Sequence, residues 1–319
     1  MPKQRFAPIV LKDLETYSLQ DRPSKVGTAD FAARWQAGGS FASFLASLPK
    51  VLAADDLRAV VAAVAAACRG RRTVVAGMGA HVIKVGLSPV VVDLMQRGVL
   101  SGVALNGAGI IHDYELALVG RTSEDVAASL GSGAFGMARE TCEFLGAAIR
   151  RADRENIGLG DAVGREILDA RLPFAEHSLL AAGARLEIPV TVHVAIGTDI
   201  LHIHPEFDPR AAGAASHRDF RTFAAMVARL QGGVYLNIGS AVILPEIFLK
   251  ALSLVRNLGH QVSELTTVNL DFIRQYRPLT NVVQRPTLGA GRGINLVGHH
   301  EIMLPLIAAA ILEQLAVPD

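Results

Sequence analysis

Cysteine, lysine and long apolar runs are all scarce in this chain of 319 residues. Its two cysteines, Cys68 and Cys142, are too few for a disulfide framework, and they form no Cys-x-x-Cys pair of the kind that builds a zinc ribbon. No apolar stretch reaches the roughly 20 residues of a membrane span, and the N-terminus lacks the apolar core of a signal peptide. We therefore expect a cytoplasmic protein that has no membrane partner.

An excess of charge of either sign is also missing. The net charge is +1 and no basic block occurs, so the electrostatic support for nucleic-acid binding is weak. Hydrophobic residues make up 50% of the chain and charged residues 19%, which argues against disorder and for a large core. Only six lysines stand against 25 arginines, so a lysine inside an apolar segment is notable.

Two glycine-rich segments, residues 76–89 and 106–113, each follow a short apolar run. Apolar runs bounded by glycine are typical of buried parallel strands, and glycine at the end of a strand lets a ligand approach the backbone amides. Neighbouring turns of this kind form a crevice at the carboxyl ends of a parallel sheet, where ligands bind in such folds. Neither segment is a full G-x-G-x-x-G motif, so structural tight turns remain an alternative.

Strands and helices are predicted to alternate along the chain. This pattern predicts an α/β fold with a doubly wound, mainly parallel six-stranded Rossmann-like sheet and helices on both faces. Residues 1–50 are predicted to form an N-terminal arm with one or two helices, and residues 51–319 the α/β domain. The predicted strands are 73–78, 102–106, 188–197, 233–240, 265–271 and 294–297. The predicted helices are 54–67, 88–97, 111–119, 137–152, 160–170, 177–185, 219–231, 246–258 and 302–315.

Several local signals support these helices. Ser88 followed by Pro89 is expected to cap the second helix, and residues 122–125 resemble a capping box. Two long segments, 198–218 and 272–293, are predicted to be loops that leave the carboxyl ends of strands. Loops of this length in a compact domain are usually functional.

Polar residues within the two glycine segments are candidates for chemistry. Lys84 is either a surface lysine on the first helical turn, or one paired with a carboxylate such as Asp113, or an amine of lowered pKa that forms an imine or holds a carboxylate. His81 and His112 are either hydrogen-bonded core histidines or groups that contact a cofactor or transfer protons.

A second group of histidines lies between residues 193 and 204. In an extended segment, His202 and His204 would point to the same side, which is a spacing that suits a metal ion. We expect no metal, but a site made by His193, His202 and His204 remains an alternative. A hydrogen-bonded histidine network at a polar rim would explain the same residues.

Several segments together resemble the deoxyhypusine synthase family, in particular its bacterial relatives. The resemblance implies a Rossmann-like NAD fold, a homotetramer with sites between subunits, and transfer chemistry on an amine or polyamine substrate. In that family NAD takes a hydride from spermidine, and the resulting imine passes its butylamine group to a lysine. The segments that carry the likeness are 79–89, 106–113, 122–126, 188–199 and 304–307.

The resemblance also implies roles for individual residues. Asp199, in a Gly-Thr-Asp sequence, matches an aspartate that binds the polyamine. Beyond the resemblance, our own hypothesis is that His112 or Asp113 moves protons. Lys84 is the candidate covalent acceptor. The residues expected to contact NAD are Gly77, Gly79, Ala80, His81, Asn106, Gly107, Ala108, Gly109, Gly239, Ser240, Gly298 and His299.

One departure from the family bears on function. The family's catalytic lysine lies in a Trp-Gly-Lys segment shortly before the last strand, whereas residues 281–287 here read NVVQRPT, and no lysine follows Lys250. Arginine stays protonated and does not form an imine, so Arg285 cannot substitute. We expect an NAD-dependent deoxyhypusine-synthase-like transferase that does not make deoxyhypusine. A metal-dependent hydrolase or lyase and a non-catalytic NAD sensor remain alternatives.

Overall fold

The sheet contains six strands, all parallel, in a computed structural model that describes residues 6–317. Their order across the sheet is β3-β2-β1-β4-β5-β6, with helices on both faces. The predicted doubly wound α/β fold is therefore confirmed. The strands are β1 (Val74–Met78), β2 (Gly102–Asn106), β3 (Val190–His193), β4 (Val234–Ile238), β5 (Thr266–Asp271) and β6 (Arg292–Val297).

Helices connect the strands, and four short 3₁₀ segments and one π-helical segment lie in the loops. The helices are α1 (Phe41–Ser47), α2 (Leu52–Arg69), α3 (His81–Lys84), α4 (Ser88–Gln96), α5 (Gly107–Val119), α6 (Val126–Leu130), α7 (Arg139–Arg154), α8 (Leu159–Asp169), α9 (Leu179–Leu186), α10 (Pro209–Val227), α11 (Ile243–Asn257), α12 (Tyr276–Pro278) and α13 (His300–Ala316). The 3₁₀ segments are Thr28–Asp30, Ala175–His177, Ile200–Ile203 and Arg285–Thr287, and the π-helical segment is Leu279–Gln284.

Alternation along the strands divides the core into two layers. In β1, Val74, Ala76 and Met78 face the larger apolar cluster, which includes residues of α2 and α13. Val75 faces the opposite side, where Tyr235 of β4 and residues of α10 and α11 pack. Successive side chains of a strand point to opposite faces, so a strand that is buried on both faces must be apolar throughout.

Asp219 joins three elements at the β3 edge of the sheet. Its Oδ2 accepts hydrogen bonds from the amides of Gly160 (3.0 Å) and Val192 (2.9 Å), so it ties α10 to the start of α8 and to the edge strand. Burial raises the pKa of this carboxyl to about 7, although the amide hydrogen bonds lower it. These bonds satisfy backbone donors that an edge strand would otherwise leave unpaired.

The chain between residues 6 and 40 is largely exposed and contains only one short 3₁₀ segment. Trp35 is one of its few packed side chains, with its ring edge on Phe44 of α1 at 5.8 Å between ring centroids. The predicted arm with one or two helices corresponds to this segment and α1, and the domain boundary at residue 50 stays a prediction. The arm's first five residues lie outside the described residues.

The prediction of a long loop over residues 198–218 was wrong. Helix α10 begins at Pro209, because Asp208 accepts a hydrogen bond from the amide of Ala211 (2.9 Å) and proline suits the first helical position. The segment 272–293 is likewise not a simple loop, since it holds α12, the π-helical segment and a 3₁₀ turn. Strand β3 is shorter than predicted and ends at His193.

The helix starts also differ from the sequence predictions. Leu87 precedes α4 as its N-cap and Ser88 is already helical, so Ser88 does not cap the helix as expected. Asp125, rather than a capping box, caps α6 by accepting from the amide of Ala128 (3.2 Å). The second glycine segment is not a loop, because α5 begins at Gly107 directly after β2.

Over residues 6–317, no helix combines the length and the apolar character that crossing a membrane requires.

The Asp219→Ala variant should be less stable than the native protein by about 2–4 kcal/mol, because it leaves the buried amides of Gly160 and Val192 without a partner. Urea unfolding measures this loss. The matched control is Asp161→Ala, which removes a half-exposed ion pair with Arg165 in the same helix and should lower stability by less than about 1 kcal/mol. Equal losses in the two variants would contradict the structural role of Asp219.

Candidate functional site

The site lies at the carboxyl ends of the strands, where the order of the sheet reverses between β1 and β4. The two chains come unusually close there, since a Cβ atom placed on Gly79 would lie 2.2 Å from the carbonyl oxygen of Gly239. Gly239 adopts a left-handed φ of +64°, which glycine accepts without strain. This close approach forms a floor of bare backbone at the position where doubly wound sheets bind ligands.

We call the carboxyl edge of the sheet, with the segments that follow each strand, the rim of the site. The start of α5 forms the next part of this rim. Asn106 caps the helix by accepting a hydrogen bond from the amide of Gly109 (3.2 Å). Gly107 at the first helical position contacts Asp199, and a Cβ atom placed on Gly107 would lie 2.0 Å from Asp199 Oδ2. The fold thus brings together two residues that the sequence analysis selected from segments more than ninety positions apart.

Asp199 carries an unpaired oxygen. Its Oδ2 is buried and has no hydrogen-bond partner among residues 6–317. Burial raises the pKa of this carboxyl, while His202 and a hydrogen bond from Thr198 lower it. A buried carboxylate oxygen without a partner is unfavourable, so a bound cation or donor at this position would be stabilised.

The three histidines of the alternative metal site do not converge. His202 Nδ1 accepts from the amides of Gly197 and Asp199, both at 3.1 Å, and therefore holds the loop that positions Asp199. The Ile200–Ile203 segment is 3₁₀-helical, so the extended geometry assumed for His202 and His204 was wrong.

The remaining two histidines have separate partners. His193 is buried beside Thr191 (3.1 Å), and His204 Nδ1 accepts from the amide of Glu206 (3.2 Å). No group of three or more His, Cys, Asp or Glu residues is placed to hold a metal ion within the described part of the chain. The proposed ligand set His193, His202 and His204 is therefore not formed.

Helix α3 carries His81 and Lys84 between two parts of the rim. The ring of His81 lies 5.6 Å from that of His300 and 6.5 Å from that of Phe272, measured between centroids. Phe272 follows β5 and stacks on His299, at 6.0 Å and 8° between ring planes. His81, Phe272, His299 and His300 thus form an aromatic cluster at the ends of β1, β5 and β6. The first three of these rings are exposed at the rim.

His300 belongs to this cluster but was not among the predicted site residues. It is buried, its Nε2 lies 3.3 Å from the carbonyl oxygen of Leu270, and its Nδ1 has no partner among the described residues. Burial lowers the pKa of His300, and the neighbouring His81 lowers it further. The sequence signal that could have identified His300 is its position directly after His299, which was predicted to contact NAD.

Lys84 is exposed on α3, and its positive charge acts on His112 of α5. The pKa of His112 falls to about 4, chiefly because the ring is largely buried and also because of the Lys84 ammonium group. His112 Nδ1 lies 2.7 Å from Thr122 Oγ1, and that hydroxyl donates to Glu115. His112 is therefore a neutral imidazole near pH 7, and neither Thr122 nor Glu115 was selected from the sequence as a site residue.

Asp113 points away from this rim into the core. Its carboxylate accepts from the Ser178 hydroxyl and from the amides of Leu179 (2.8 Å) and Leu180 (3.2 Å), so it caps the start of α9. Burial raises its pKa to about 6 despite these hydrogen bonds. The Lys84–Asp113 pair considered from the sequence is not formed, and the geometry gives Asp113 a structural role instead of the expected proton transfer.

Three predicted cofactor residues also have structural partners. Gly77 lies inside β1 under the Tyr235 ring, with a Cβ position 2.3 Å from the Tyr235 hydroxyl. The Ser240 hydroxyl accepts from the amide of Leu244 at the start of α11 (3.1 Å), and Gly298 packs on Met303. By contrast Ala80, Ala108 and His299 lie at the rim with Gly79, Gly107 and His81.

A cavity of about 980 Å³ lies away from this rim, beside β3 and between α8, α9 and α10. None of the predicted site residues lines it. We place the candidate site at the strand ends because the unpaired carboxylate of Asp199, the start of α5 and the bare backbone of Gly79 and Gly239 lie there.

No protein-family model matches the sequence, and no curated protein does either. A conserved protein from Methanococcus maripaludis S2, provisionally assigned as LOR/SDH, has a similar structure, with 13% identity over 98% of this chain and 77% of that chain and a TM-score of 0.53. A provisionally assigned deoxyhypusine synthase from Entamoeba histolytica is 10% identical over 86% of this chain and 94% of that one, with a TM-score of 0.51.

AgrE, solved in a ternary complex with ornithine and NAD+, is a further structural neighbour. It is 17% identical over 83% of this chain, with a TM-score of 0.51, and the chain spans only 34% of the AgrE chain. Similarity at these identities shows a shared fold. The family-level resemblance to deoxyhypusine synthase is accordingly a resemblance in fold.

Replacing Lys84 by methionine should raise the pKa of His112 above about 4, because the Lys84 charge disfavours the imidazolium ion. Lys84→Arg keeps the charge and serves as the matched control, so its His112 should titrate as in the native protein. NMR titration of the histidine ring signals measures both. If methionine leaves the pKa of His112 unchanged, the lysine does not act on this imidazole.

Proposed function

We propose that the protein is an NAD-dependent enzyme that oxidises an amine at the carbon bearing the nitrogen and processes the resulting imine as a deoxyhypusine-synthase-like transferase. It does not make deoxyhypusine, because the segment 281–287 lacks the lysine that the family uses. The LOR/SDH, AgrE and deoxyhypusine synthase structures support an amine-acting NAD scaffold for this chain.

The unpaired Oδ2 of Asp199 is the observation that carries this proposal. It lies buried against Gly107 at the first turn of α5, and no described residue donates to it. A substrate ammonium group would satisfy that oxygen with a charge-assisted hydrogen bond. An anionic substrate would instead be repelled, so the site favours an amine.

The rim also fits a dinucleotide. The bare backbone at Gly79 and Gly239 allows close approach, and the exposed rings of Phe272 and His299 offer a surface on which an aromatic ring stacks. Bound there, NAD would accept the hydride that leaves the amine-bearing carbon as the carbon–nitrogen double bond forms. The residues that would hold it are Gly79, Ala80, His81, Asn106, Gly107, Ala108, Gly109, Gly239 and His299.

His112 serves as the base in this proposal. The bound ammonium must lose one proton before its nitrogen lone pair can form a double bond to carbon, and a neutral imidazole near the rim accepts that proton. The pKa of about 4 keeps His112 unprotonated near pH 7. The same low pKa makes it a weak base, and pairing with the Asp199 carboxylate holds the ammonium proton more tightly, so we expect this proton transfer to be slow.

Lys84 is the proposed acceptor of the imine. The Lys84 ammonium group must first lose a proton; its nitrogen then adds to the iminium carbon, and the original nitrogen takes up that proton and leaves as ammonium or as the released amine, so the carbon skeleton becomes bonded to Lys84 through a new imine. Lys84 is exposed on α3 beside His112, which leaves it accessible to a substrate at this rim.

The function is tested by incubating the protein with NAD+ and a series of amines, among them spermidine and ornithine, and following NADH absorbance. We expect NADH to form with at least one amine and not with the matching carboxylic acids. If NAD+ binds but no amine yields NADH, the result would instead support a non-catalytic NAD sensor. If NAD+ does not bind, the proposed function is wrong.

Asp199→Asn should raise KM for the reactive amine about 10- to 100-fold, since it removes the charge that pairs with the ammonium group. The Kd for NAD+, measured by calorimetry, should stay the same. Glu206→Gln is the matched control: it removes a half-exposed carboxylate that pairs with Arg150 nearby in sequence, and KM should not change. A native-like KM in Asp199→Asn would exclude Asp199 as the amine ligand.

Lys84→Arg should leave NAD+ binding intact and stop turnover, because a guanidinium ion does not add to an imine. Mass spectrometry of the native protein, trapped with borohydride during turnover, should find the added carbon skeleton on the peptide that contains Lys84. An active Lys84→Arg enzyme would remove the covalent role while leaving amine oxidation possible.

A further inference from the structure

The surroundings of His112 select one of its two neutral tautomers. We propose that Thr122 and Glu115 are positioning residues that hold the proton of His112 on Nδ1 and leave Nε2 as a free proton acceptor. This inference rests on the proposed function in one respect, namely that His112 is the base of the reaction.

Distances define a chain of hydrogen bonds from the ring to a carboxylate. Thr122 Oγ1 lies 2.7 Å from His112 Nδ1, and the same oxygen is hydrogen-bonded to Glu115 Oε2. The second oxygen of Glu115 accepts from the Thr141 hydroxyl at 3.2 Å. The His112 and Glu115 side chains are only 16% and 20% exposed, so water competes little for these bonds.

The number of available protons fixes the direction of each bond. An ionised carboxylate only accepts hydrogen bonds, so Thr122 must donate its single hydroxyl proton to Glu115. Its oxygen can then act only as the acceptor toward His112. The proton between the two therefore belongs to Nδ1, and the lone pair of the neutral ring is left on Nε2.

Local backbone geometry brings Thr122 to this position. His112 and Glu115 are three residues apart and lie on the same side of α5. Gly120 ends the helix with a φ of +66°, and Ser123 has a φ of +73°, which is strained for a residue other than glycine. The chain thus turns at Gly120, where α5 ends, and the Thr122 hydroxyl reaches the imidazole ring.

The consequence for catalysis is a base with a fixed direction. Nε2 lies on the other side of the ring from Thr122, so the lone pair points away from the Thr122–Glu115 network. Without Thr122, a neutral His112 could carry its proton on either nitrogen, and the fraction with a free Nε2 would fall. The low pKa of His112 supports the same assignment, because the neutral ring is the form that has a tautomer to select.

Long-range ¹⁵N–¹H NMR spectra of the free protein, recorded near pH 7, distinguish the two tautomers directly. We expect His112 of the native protein to carry its proton on Nδ1. Thr122→Val is nearly isosteric and should shift His112 toward a mixture of tautomers, whereas Thr122→Ser should restore the native spectrum. Thr141→Val is the matched control, since it removes a hydroxyl from the same carboxylate without contacting the imidazole.

In turnover assays, Thr122→Val should lower kcat and leave the Kd for NAD+ unchanged. The fall in kcat should not exceed the roughly 100- to 10,000-fold that a positioned base contributes. A native His112 protonated on Nε2, or the same tautomer in native protein and Thr122→Val, would overturn the inference. The tautomer is measured without substrate, so a protein with the expected tautomer but no amine oxidation would count against the proposed function alone. If Thr122→Val does not fold, the native spectrum still identifies the tautomer of His112. Glu115→Gln should then reduce the preference for the Nδ1 proton, because a glutamine amide can donate to Thr122 and free its hydroxyl proton for Nδ1.

Discussion

The contact on which the site depends is the approach of two bare backbones where β1 and β4 end. Gly79 and Gly239 come so close that no side chain would fit on Gly79, and this contact lies at the point where the strand order reverses. Parallel pairing of β1 with both β2 and β4 brings α3, α5 and the chain after β4 to a single edge. Chemical groups from distant parts of the sequence are therefore concentrated at one rim.

Helix α5 carries both structural residues and candidate functional residues. Asn106 and Gly107 form its start against Asp199, Asp113 turns inward to cap α9, and His112 turns toward Lys84. Adjacent residues of a helix point about 100° apart, which is why His112 and Asp113 can have unrelated partners. His112 and Asp113 looked equivalent in the sequence, but Asp113 caps a helix in the core and His112 is the imidazole near the rim.

The strands and most helices were predictable because apolar periodicity and glycine boundaries are local properties. The predicted parallel sheet already placed the segment of Asp199 and the turn at Gly107 at the same edge, but their direct contact was not predictable because nothing local links the two segments. The role of Asp113 was mistaken because its burial depends on α9, and the Thr122–Glu115 network was missed because it depends on the turn at Gly120 that ends α5. Residues 209–218 were misjudged although Asp208-Pro209 is a recognisable helix start.

The proposed function joins two features of the chain: segment 281–287 lacks a lysine, and Asp199 carries an unpaired, buried oxygen. The central claim is that NAD binds across the ends of β1, β2 and β4, and a crystal structure of the protein soaked with NAD+ tests it most directly. Our account predicts a dinucleotide lying on Gly79, Gly107 and Gly239, within reach of His81 and His299. A dinucleotide bound instead in the cavity between α8 and α10, or none under saturating NAD+, would contradict it.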